Sequence, residues 1–431
     1  MNGTGPAADR TLEYDVVVCG SSLAGSAAAI GYGRAGLRVA LLERSSKLDH
    51  YKRTCTHEIQ ASAVPLLREL GVDDALEAVE TPRRGVTFHT RYGWVQPQYD
   101  DGEEPTDLNW NVRREKIDPI VRRAAADTPG VDLMLGERVV EVVKDGRRVS
   151  GVIARERSGR TTEIRAKLVV GADGRESTVA TEAGLGTRHQ PHGRFVFWGY
   201  FKGVELPYGA DAHVWLLDPD VAYGLPTDSN LTLLSTMLTK DRLPEYREDP
   251  DALFNEVWSS LPDGPPLDGI ERVGDFVARI DMTNHRRRTA APGIALVGDA
   301  ALCTDPLWGW GCGWALESSR ALVAGTAPAL KSGSGLDRAL LRYQSWHYRH
   351  FFGLHKFATG YATGKQFSLV QRILYRAAVR DNELAKDLHL FTTASVGLSG
   401  FFGLRTLGRM AREVLTPPGS RPRERQAAGR A

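Results

Sequence analysis

Short apolar runs separated by glycine-rich turns predict the first elements of the chain. After a flexible lead at 1–11, residues 13–19 (EYDVVVC) predict a buried strand, and 37–42 (LRVALL) predict a second one. Between them, the small residues of 22–35 (SLAGSAAAIGYGRA) predict a helix that is stopped by Gly36. Strand, helix and strand in this order form a βαβ unit, so we expect the first sheet to begin with parallel strands.

The rest of the chain alternates between helical and β-rich stretches. Apolar periodicity predicts helices at 58–70, 115–127 and 314–330, and a largely helical region at 338–415. β-Branched and aromatic runs predict a hairpin at 86–99 around Gly93, an antiparallel meander at 138–170, a separate antiparallel sheet at 194–280 and a returning parallel strand at 293–297. From Thr416 on, the polar sequence predicts a disordered tail.

Composition and charge exclude several classes of protein. The chain has 431 residues, of which 42% are hydrophobic and 25% charged, as in an ordinary globular protein rather than a disordered or fibrous one. Lys and Arg number 55 against 53 Asp and Glu, so the net charge of +2 gives no electrostatic footprint for nucleic acid. The sequence has no apolar run of membrane-spanning length and no apolar signal region at its N-terminus, so we expect a cytoplasmic location.

The cysteines and histidines predict neither a disulfide framework nor a metal site. A reducing compartment fits the absence of any C-x-x-C pair among Cys19, Cys55, Cys303 and Cys312. His347 and His350 stand three residues apart on a predicted helix, but no third ligand accompanies them in the sequence. We therefore expect no metal.

The turn after the first strand has the spacing of a dinucleotide-binding fold. Gly20 permits a tight turn, the small Ser22 lets the backbone approach a pyrophosphate, and Gly25 lets the helix pack on the strand. The N-terminus of the helix adds free N–H groups and a positive dipole end. Glu43 ends the second strand, where its carboxylate can accept both ribose hydroxyls and disfavours a 2′-phosphate. This site is therefore expected to prefer FAD or NAD over NADP.

Two further motifs at strand ends decide between FAD and NAD. They are Gly171-Ala-Asp173-Gly174 after the meander, and Gly298-Asp299 with Asp305-Pro306-Leu-Trp-Gly309-Trp-Gly311-Cys-Gly313 after the returning strand. With the first turn and Glu43, this set resembles the FAD-dependent monooxygenases of the para-hydroxybenzoate hydroxylase type, whose relatives are geranylgeranyl reductases and flavin halogenases. The resemblance covers about residues 13–320.

The resemblance implies an α/β fold with a glutathione-reductase-like FAD-binding Rossmann domain, an inserted antiparallel substrate-binding sheet and a C-terminal helical region. The FAD domain would be discontinuous, formed by residues 12–80, 105–190 and 285–337. The substrate sheet would come from 81–104 and 191–284, followed by the helical region at 338–415 and the tail at 416–431. We expect the protein to be a monomer or a homodimer.

The resemblance also implies which residues bind FAD. The first turn would hold the pyrophosphate, Glu43 the ribose and Asp299 the ribityl chain, while Asp173 would lie near the pyrophosphate and the nicotinamide entry path. Arg113 is assigned to the family's R-x-x-[LI]-D segment, on the flavin side. The full set implied is Gly20, Ser22, Leu23, Ala24, Gly25, Glu43, Arg44, Arg53, Arg113, Val139, Asp173, Gly174, Asp299, Pro306, Gly309, Gly311, Cys312 and Gly313.

Motifs of the neighbouring branches are incomplete, which favours monooxygenation. The halogenases' Trp-x-Trp-x-Ile-Pro and the reductases' Tyr-x-Trp-x-Phe-Pro are absent, and only Leu225-Pro226 keeps their ending. The resemblance then implies that NADPH or NADH, binding transiently, reduces FAD, and that O₂ gives a flavin hydroperoxide that oxygenates a bound substrate. The alternatives are a C=C reductase of the geranylgeranyl reductase type, a halogenase, and a non-catalytic flavoprotein that acts as a redox sensor.

Two polar residues are candidates for catalysis, and the predicted sheet indicates the kind of substrate. In the segment that would return beside the flavin, His57 is either a general base or a cap, and Cys55 is either a flavin contact or an inert buried thiol. An aromatic or polycyclic small molecule fits the aromatic residues of 194–280, although period-2 alternation would turn half of them into the core of the sheet: Phe195, Phe197, Trp198, Tyr200, Trp215 and Tyr223.

Overall fold

The predicted βαβ unit lies at the centre of an eight-stranded sheet in our computed structural model, which describes residues 8–81, 83–100, 107–209 and 211–415. In chain order, the strands of these residues are β1 (Arg10–Cys19), β2 (Val39–Glu43), β3 (Glu58–Ile59), β4 (Arg83–Arg84), β5 (Val86–Thr90), β6 (Gly93–Val95), β7 (Asn109–Asn111), β8 (Val131–Leu135), β9 (Arg138–Asp145), β10 (Arg148–Arg155), β11 (Thr161–Gly171), β12 (Thr187–Gln190), β13 (Arg194–Lys202), β14 (Ala212–Leu216), β15 (Val221–Pro226), β16 (Thr232–Thr239), β17 (Glu271–Arg279), β18 (Asn284–Arg287), β19 (Ala290–Ala291), β20 (Ile294–Leu296) and β21 (Leu302–Cys303).

The helices connect and cover these strands. In chain order, the α-helices of the described residues are α1 (Leu23–Arg34), α2 (Val64–Leu70), α3 (Asp73–Glu77), α4 (Arg114–Ala126), α5 (Thr178–Glu182), α6 (Leu243–Glu248), α7 (Pro250–Ser259), α8 (Gly311–Ser332), α9 (Leu336–Tyr361), α10 (Leu369–Ala378), α11 (Asn382–Thr392), α12 (Leu398–Phe401) and α13 (Leu404–Leu415). Short 3₁₀ turns occupy Ala61–Ala63, Lys240–Arg242, Gly298–Ala300 and Pro306–Trp308.

The first sheet has the strand order β19-β20-β11-β1-β2-β8, with β9 and β10 attached to β11. β1 pairs in parallel with both β2 and β11, which confirms the parallel start predicted for this sheet. Val16, Val17 and Val18 of β1 are fully buried, as expected for a strand covered on both faces. The flexible lead is predicted too long, because Arg10 and Thr11 already pair with β11.

The predicted meander and hairpin are both present. β9, β10 and β11 pair in antiparallel order, and β11 is long enough to continue as a parallel neighbour of β1 and β20. β5 and β6 form the predicted hairpin, with Thr90 opposite Gly93. The strand predicted at 293–297 is β20, which pairs in parallel with β11.

The helix predicted at 58–70 begins later than expected. Residues 58–59 form β3, which pairs with β7, and the α-helix α2 starts only at Val64. Pro65 lies in its first turn, where a missing backbone N–H costs nothing and the fixed φ favours a helix. The apolar periodicity therefore identified the helix but not its start.

The second sheet has the strand order β17-β13-β16-β15-β14-β5-β6. Its neighbours are antiparallel as predicted, except that β5 runs parallel to β14. The helices α6 and α7 were not predicted, and α7 packs Phe254 and Trp258 with Phe195 and Phe197 on one face of the sheet. Phe195, Phe197 and Trp215 thus form a core on this face, whereas Trp198 and Tyr223 are buried in a different core cluster.

Helices form the end of the described chain, as predicted. α8 begins at Gly311, three residues before the predicted start, and α9 follows it after a short turn. The Tyr343 hydroxyl of α9 donates to the Leu296 carbonyl at 2.8 Å and so holds this helix on β20. The tail predicted at 416–431 lies outside the described residues. None of the described helices has the length and apolar character needed to cross a membrane.

Candidate functional site

The turn between β1 and α1 is closed by two glycines that cannot be replaced without a clash. Gly20 has a φ of +104°, and a Cβ on it would lie 2.5 Å from the Ala172 carbonyl oxygen. A Cβ on Gly25 would lie 1.7 Å from the Gly20 carbonyl oxygen. The turn therefore packs tightly against the end of β11, and α1 starts at Leu23 and Ala24 directly behind it.

The side chain of Ser22 does not cap α1, although Ser22 is its N-cap residue. Its hydroxyl instead accepts from the Arg114 guanidinium at 2.5 Å. Arg114 also bonds Asp118, whose carboxylate accepts from the Lys52 backbone N–H at 2.9 Å. Burial opposes the charge on Arg114, but Asp118 outweighs it and raises the pKa of the guanidinium. The first turn of α1 therefore faces a fixed cation.

Arg113 lies apart from this turn. Its guanidinium contacts Asp228 at 2.7 Å and stacks over the Tyr200 ring at 5.7 Å. In the sequence RREKID, the spacing R-x-x-I-D fits Arg114 and Asp118, so the motif was assigned one residue too early. Direct binding of the cofactor by Arg113 stays a prediction, while Arg114 is a site residue that the sequence reasoning missed.

Glu43 is held at the end of β2 by hydrogen bonds that keep its carboxylate oriented. It accepts from the Ser21 hydroxyl at 2.8 Å, the Ser21 backbone N–H at 3.2 Å and the Ser45 backbone N–H at 2.9 Å. Arg122 donates to the same Ser21 hydroxyl at 2.7 Å. The carboxylate is thus fixed beside the turn, at the position expected of a ribose acceptor.

Three further residues that the resemblance implies for FAD binding are Arg44, Arg53 and Val139. Arg44 follows Glu43 and is exposed, and Arg53 is exposed on the loop after β2. Val139 is buried in β9, and Glu137, just before this strand, donates its backbone N–H to the Glu43 carbonyl at 2.9 Å. The roles of these residues toward a cofactor stay predictions.

Asp299 forms an ion pair across the site with the partly exposed Lys52. Its carboxylate contacts the Lys52 ammonium at 2.7 Å, and its backbone carbonyl accepts from His285 at 3.0 Å. Burial would raise the pKa of Asp299, but Lys52 and Arg175 lower it below its ordinary value. Asp299 is therefore an anion, with one cation from the loop after β2 directly against it.

Asp173 is hydrogen-bonded to two residues at the start of α5. Its carboxylate accepts from the Ser177 hydroxyl at 2.5 Å and the Val179 backbone N–H at 3.0 Å, at the start of α5. Burial raises the pKa of this carboxyl. Gly174, at a φ of +83°, turns the chain between them. In this structure Asp173 therefore organises the turn after β11, and its contact with a cofactor stays a prediction.

A buried clamp fixes the loop before α8. The Asp305 carboxylate contacts His192 at 2.6 Å and Arg194 at 2.9 Å, and accepts from the Leu307 backbone N–H at 2.7 Å. All three side chains are fully buried, and although burial would raise the pKa of Asp305, Arg194 and His192 lower it. Pro306 then begins a 3₁₀ turn that leads to Gly309. The clamp ties this turn to β13.

The segment after β2 packs directly on the start of α8. A Cβ on Gly309 would lie 2.7 Å from the Glu58 side chain, and one on Gly313 would lie 2.9 Å from the Gln60 side-chain oxygen. A Cβ on Gly311 would meet nothing within 4 Å. Two of the three glycines therefore allow close packing, and Gly311 faces open space.

Cys55 and Cys312 meet at this contact. Their sulfurs lie 3.9 Å apart, and the Arg114 guanidinium lies 3.8 Å from the Cys55 sulfur. A hydrogen bond from the Cys312 thiol and the positive charge of Arg114 lower the pKa of Cys55 well below its ordinary value, although burial opposes this. The same contact raises the pKa of Cys312. The pKa values of the two thiols are thus moved in opposite directions.

His57 has partners on both ring nitrogens. Its Nδ1 accepts from the Arg114 backbone N–H at 3.0 Å, so Nε2 carries the proton and donates to the Tyr200 hydroxyl. The residue has a φ of +69°, which is strained for a side chain other than glycine. His57 thus orients Tyr200, and a direct catalytic role stays a prediction.

Comparison with known proteins identifies the family. The sequence matches the FAD binding domain family over residues 13–351. The chain belongs to this family. Digeranylgeranylglycerophospholipid reductase 1 of Methanococcoides burtonii is 25% identical over 357 residues, which cover 79% of this chain and 81% of the reductase. Kynurenine 3-monooxygenase of Salinispora arenicola is 28% identical over 328 residues, which cover 70% of each chain.

A solved structure shares the fold of this FAD-binding chain. A flavin-dependent brominase superposes with a TM-score of 0.77 at 20% identity and covers 93% of this chain and 98% of its own. The resemblance to the monooxygenase, reductase and halogenase superfamily is thereby confirmed. The family is one of FAD-dependent oxidoreductases with a mixed α/β fold.

The residues at the strand ends fit FAD. The uncapped start of α1, with Arg114 and Arg122 beside it, suits a pyrophosphate, and the fixed Glu43 carboxylate suits ribose hydroxyls. Near the start of α8, two buried polar atoms have no hydrogen-bond partner among the described residues: Gln60 Oε1 and Trp308 Nε1. Such atoms, together with the open space at Gly311, suit a polar planar group.

A small cavity separates this helix start from the second sheet. It has a volume of about 30 Å³ and is lined by apolar residues of β5, β14 and β15 on one side and by Pro306–Gly309 on the other. Phe88 and Tyr223 come from the sheet, and Trp308 lies 6.1 Å from the Phe88 ring. The aromatic face opposite the α7 face therefore looks onto the start of α8.

Glu58 is an ionisable residue in the lining of this cavity. Its carboxyl is buried and accepts from the Asn109 amide at 2.5 Å. Burial raises its pKa to about 7, and the Asn109 hydrogen bond limits the rise. Near neutral pH this group can therefore give or take a proton.

Glu58 is not among the residues predicted from the sequence. A carboxyl placed between two apolar elements is a signal for a raised pKa, but the placement depends on the pairing of β3 with β7. Because that pairing joins segments about fifty residues apart, the local pattern did not show it.

Proposed function

We propose that this chain is an FAD-dependent monooxygenase that uses NAD(P)H and O₂ to oxygenate an aromatic or polycyclic small molecule. The observation that carries the proposal is the apolar, aromatic face that the second sheet turns toward the start of α8, with Glu58 as the ionisable group beside it. A kynurenine 3-monooxygenase among the relatives supports the same reaction class. Such chemistry needs an enclosed site and few acid–base groups, because the cofactor supplies the reactivity.

The proposed domains follow the sheets. The FAD domain comprises residues 12–80, 105–190 and 285–337, in a glutathione-reductase-like arrangement around the first sheet. The inserted sheet of 81–104 and 191–284 binds substrate, because its inner aromatic face lines the cavity. The C-terminal helical region supplies Thr392 of α11 to the same cavity.

Within this scheme the chain's own residues bind and orient. Arg114, Ser22 and the start of α1 would hold the pyrophosphate, Glu43 the ribose, and Asp299 with Lys52 the ribityl chain. The N-terminus of α8 would stabilise negative charge on the reduced ring system. Bound FAD would supply electron transfer and the activation of O₂.

Proton handling falls to Glu58 and its neighbours. Glu58 would hold or release a proton beside the substrate, with Asn109 fixing the orientation of its carboxyl. Trp308, which packs against Trp310 at 5.8 Å and Tyr361 at 5.1 Å, would help to exclude water from the cavity.

Two measurements test this function. The purified protein is mixed anaerobically with NADH or NADPH, alone and with a panel of aromatic ligands, and the visible absorbance of the flavin is followed. Turnover is then run under isotopically labelled O₂. We expect bleaching of the flavin by one of the two nucleotides and incorporation of one labelled oxygen atom into product. A product whose mass does not change with the oxygen isotope would contradict the proposal.

A C=C reductase is the second candidate, favoured by the position of Cys55. Its thiolate lies against the start of α8, and a digeranylgeranylglycerophospholipid reductase is among the relatives. A reductase would add two hydrogens to an alkene without O₂. Anaerobic turnover of an isoprenoid alkene, with reoxidation of the reduced flavin, would establish this function instead.

A further inference from the structure

A second cavity lies between α9 and the strands β12, β18 and β21. Its volume is about 720 Å³, within the range of cavities that bind small molecules. None of its lining residues is among those assigned to FAD or to the reaction cavity. This cavity is therefore distinct from the proposed FAD site and from the reaction cavity.

The acidic and basic side chains that line this cavity are all basic. Its lining includes five arginines and, among the described residues, no aspartate or glutamate: Arg188, Arg286, Arg287, Arg288 and Arg349. A cluster of guanidinium groups without carboxylates is unfavourable by itself, because the like charges repel one another. An anion in the cavity would relieve that repulsion.

Three of these guanidinium groups have partners within the protein. Arg287 donates to the Ala300 and Arg175 backbone carbonyls at 2.8 and 2.7 Å. Arg288 donates to the Gln344 side chain at 3.3 Å, and Arg349 donates to the Ser345 carbonyl at 3.2 Å. Those hydrogen-bond partners are neutral, although the charges of Asp173 and Asp299 act on Arg287 through space.

Arg286 and Arg188 are the groups free to bind a ligand. The Nε of Arg286 is buried and has no hydrogen-bond partner in the described part of the chain. Its guanidinium lies over the Phe352 ring at 5.0 Å, which holds it in place. Arg188 is exposed at the rim and forms no ion pair with any described residue.

The rest of the cavity wall is apolar. Phe351, Phe352 and Leu302 line it, together with two histidines. Burial lowers the pKa of His347 to about 3 and also lowers that of His355, so both rings are neutral near pH 7. A cavity with an apolar wall and a group of arginines suits a ligand that has an anionic head and an apolar chain or ring.

We propose that this cavity binds a small amphipathic anion, with a carboxylate or phosphate head on Arg286 and Arg188 and an apolar chain or ring against Phe351, Phe352 and Leu302. The head would give Arg286 Nε the acceptor that it lacks in the protein. The proposal does not depend on which reaction the flavin performs.

Calorimetric titration of the FAD-loaded protein tests it. The probes are n-octyl phosphate, octanoate, inorganic phosphate and n-octanol. We expect saturable binding of one octyl phosphate or octanoate per chain, at least tenfold tighter than inorganic phosphate, and no binding of octanol. The order of octyl phosphate and octanoate identifies the preferred head. Octanol binding as tightly as the anions would overturn the proposal.

Substitutions in the lining test whether the anion binds in this cavity. Arg286→Gln should weaken octyl phosphate binding at least tenfold. Arg338→Gln, which removes an exposed arginine of α9 outside the cavity lining, should not weaken it. Phe352→Ala should weaken octyl phosphate but not inorganic phosphate. If Arg286→Gln does not fold, the exposed Arg188→Gln should still weaken binding several-fold. Equal affinities in the wild type and in the Arg188 or Arg286 variant would place the anion elsewhere.

Discussion

At the scale of single residues, the site depends on groups whose charge is set by their surroundings. Burial holds Glu58 close to half-protonated at neutral pH, and Asn109 keeps the shift from growing further. In the same segment, Cys312 and Arg114 lower the pKa of Cys55. Two residues only three positions apart in the sequence thus have pKa values moved in opposite directions.

The raised pKa of Glu58 predicts how stability changes with pH. The folded protein holds a proton on Glu58 up to about pH 7, whereas the unfolded chain releases it near its ordinary pKa of 4.5. The free energy of unfolding should therefore fall as pH rises between about 5 and 8. By this group alone the fall is on the order of 3 kcal/mol.

Urea unfolding at pH 5 and pH 8 measures this effect. In Glu58→Gln this pH dependence should vanish. The free energy of unfolding of the variant, relative to that of the wild type, should therefore be higher at pH 8 than at pH 5. Glu205→Gln, at an exposed position, is the matched control and should follow the wild type at both pH values. A difference between Glu58→Gln and wild type that is the same at the two pH values would show that Glu58 titrates normally.

The lowered pKa of Cys55 predicts selective alkylation. At pH 7, iodoacetamide should modify Cys55 first, because the thiolate is the reactive form and the pKa values of Cys19, Cys303 and Cys312 are raised. Cys312→Ala removes the thiol that lowers the pKa of Cys55, so alkylation should slow several-fold.

Peptide mass spectrometry over a time course gives these rates. Cys303→Ala serves as control and should leave the rate at Cys55 unchanged, since Cys303 is not among the groups that lower its pKa. Addition of excess FAD should slow the reaction if the cofactor covers this contact. Equal labelling of all four cysteines would contradict the charge assigned to Cys55.

At the scale of elements, two helix starts are the proposed cofactor contacts, and their glycines differ in their surroundings. Gly25 in α1 is needed by the fold itself, because its Cβ would collide with backbone. Gly311 at the start of α8 has open space where a side chain would stand. The first glycine therefore serves packing, and the second leaves room for a ligand.

Alanine at the two positions should separate these functions. Gly25→Ala should destabilise the protein by 1–3 kcal/mol, roughly, and abolish FAD binding. Gly311→Ala should leave the unfolding of the FAD-free protein unchanged or stabilise it by up to about 1 kcal/mol, since alanine favours a helix. Its affinity for FAD should nevertheless fall. Unchanged FAD affinity in Gly311→Ala, measured by flavin fluorescence, would place the cofactor away from α8.

Elements with a strong local pattern could be predicted from the sequence, and contacts between distant segments could not. The strands around Gly20 and the meander have buried runs bounded by glycine turns, so their existence follows from local order. β3 is two residues long and exists only because β7 pairs with it, so periodicity extended the following helix into it. Arg114 is a different case, since its R-x-x-I-D spacing is visible in the sequence and only its contact with Ser22, 92 positions away, required the structure.

At the scale of the molecule, the site is assembled from segments far apart in the chain. Ser21 and Glu43 come from the first βαβ unit, Arg114 from α4, and Asp299 from the turn after β20. These parts meet because β1, β2, β11 and β20 lie side by side in one sheet, whose strand ends share an edge. A ligand that bridges them should therefore stabilise the whole fold rather than one part.

This assembly predicts how two distant substitutions combine. Glu43 bonds Ser21 and Ser45, and Asp299 bonds Lys52, so the two carboxylates share no hydrogen-bond partner. Glu43→Ala and Asp299→Ala should each weaken FAD binding at least tenfold, and the losses should multiply in the double variant, because independent contacts add in free energy. Flavin fluorescence titration gives the three affinities, and the rise of the melting temperature with FAD concentration checks them by a second route. Glu141→Ala, at an exposed position of β9, should bind like the wild type. If both single variants fold and keep full FAD, the assignment of this edge as the cofactor site is wrong, and a double variant no weaker than the worse single one would mean that the two carboxylates act through a shared contact.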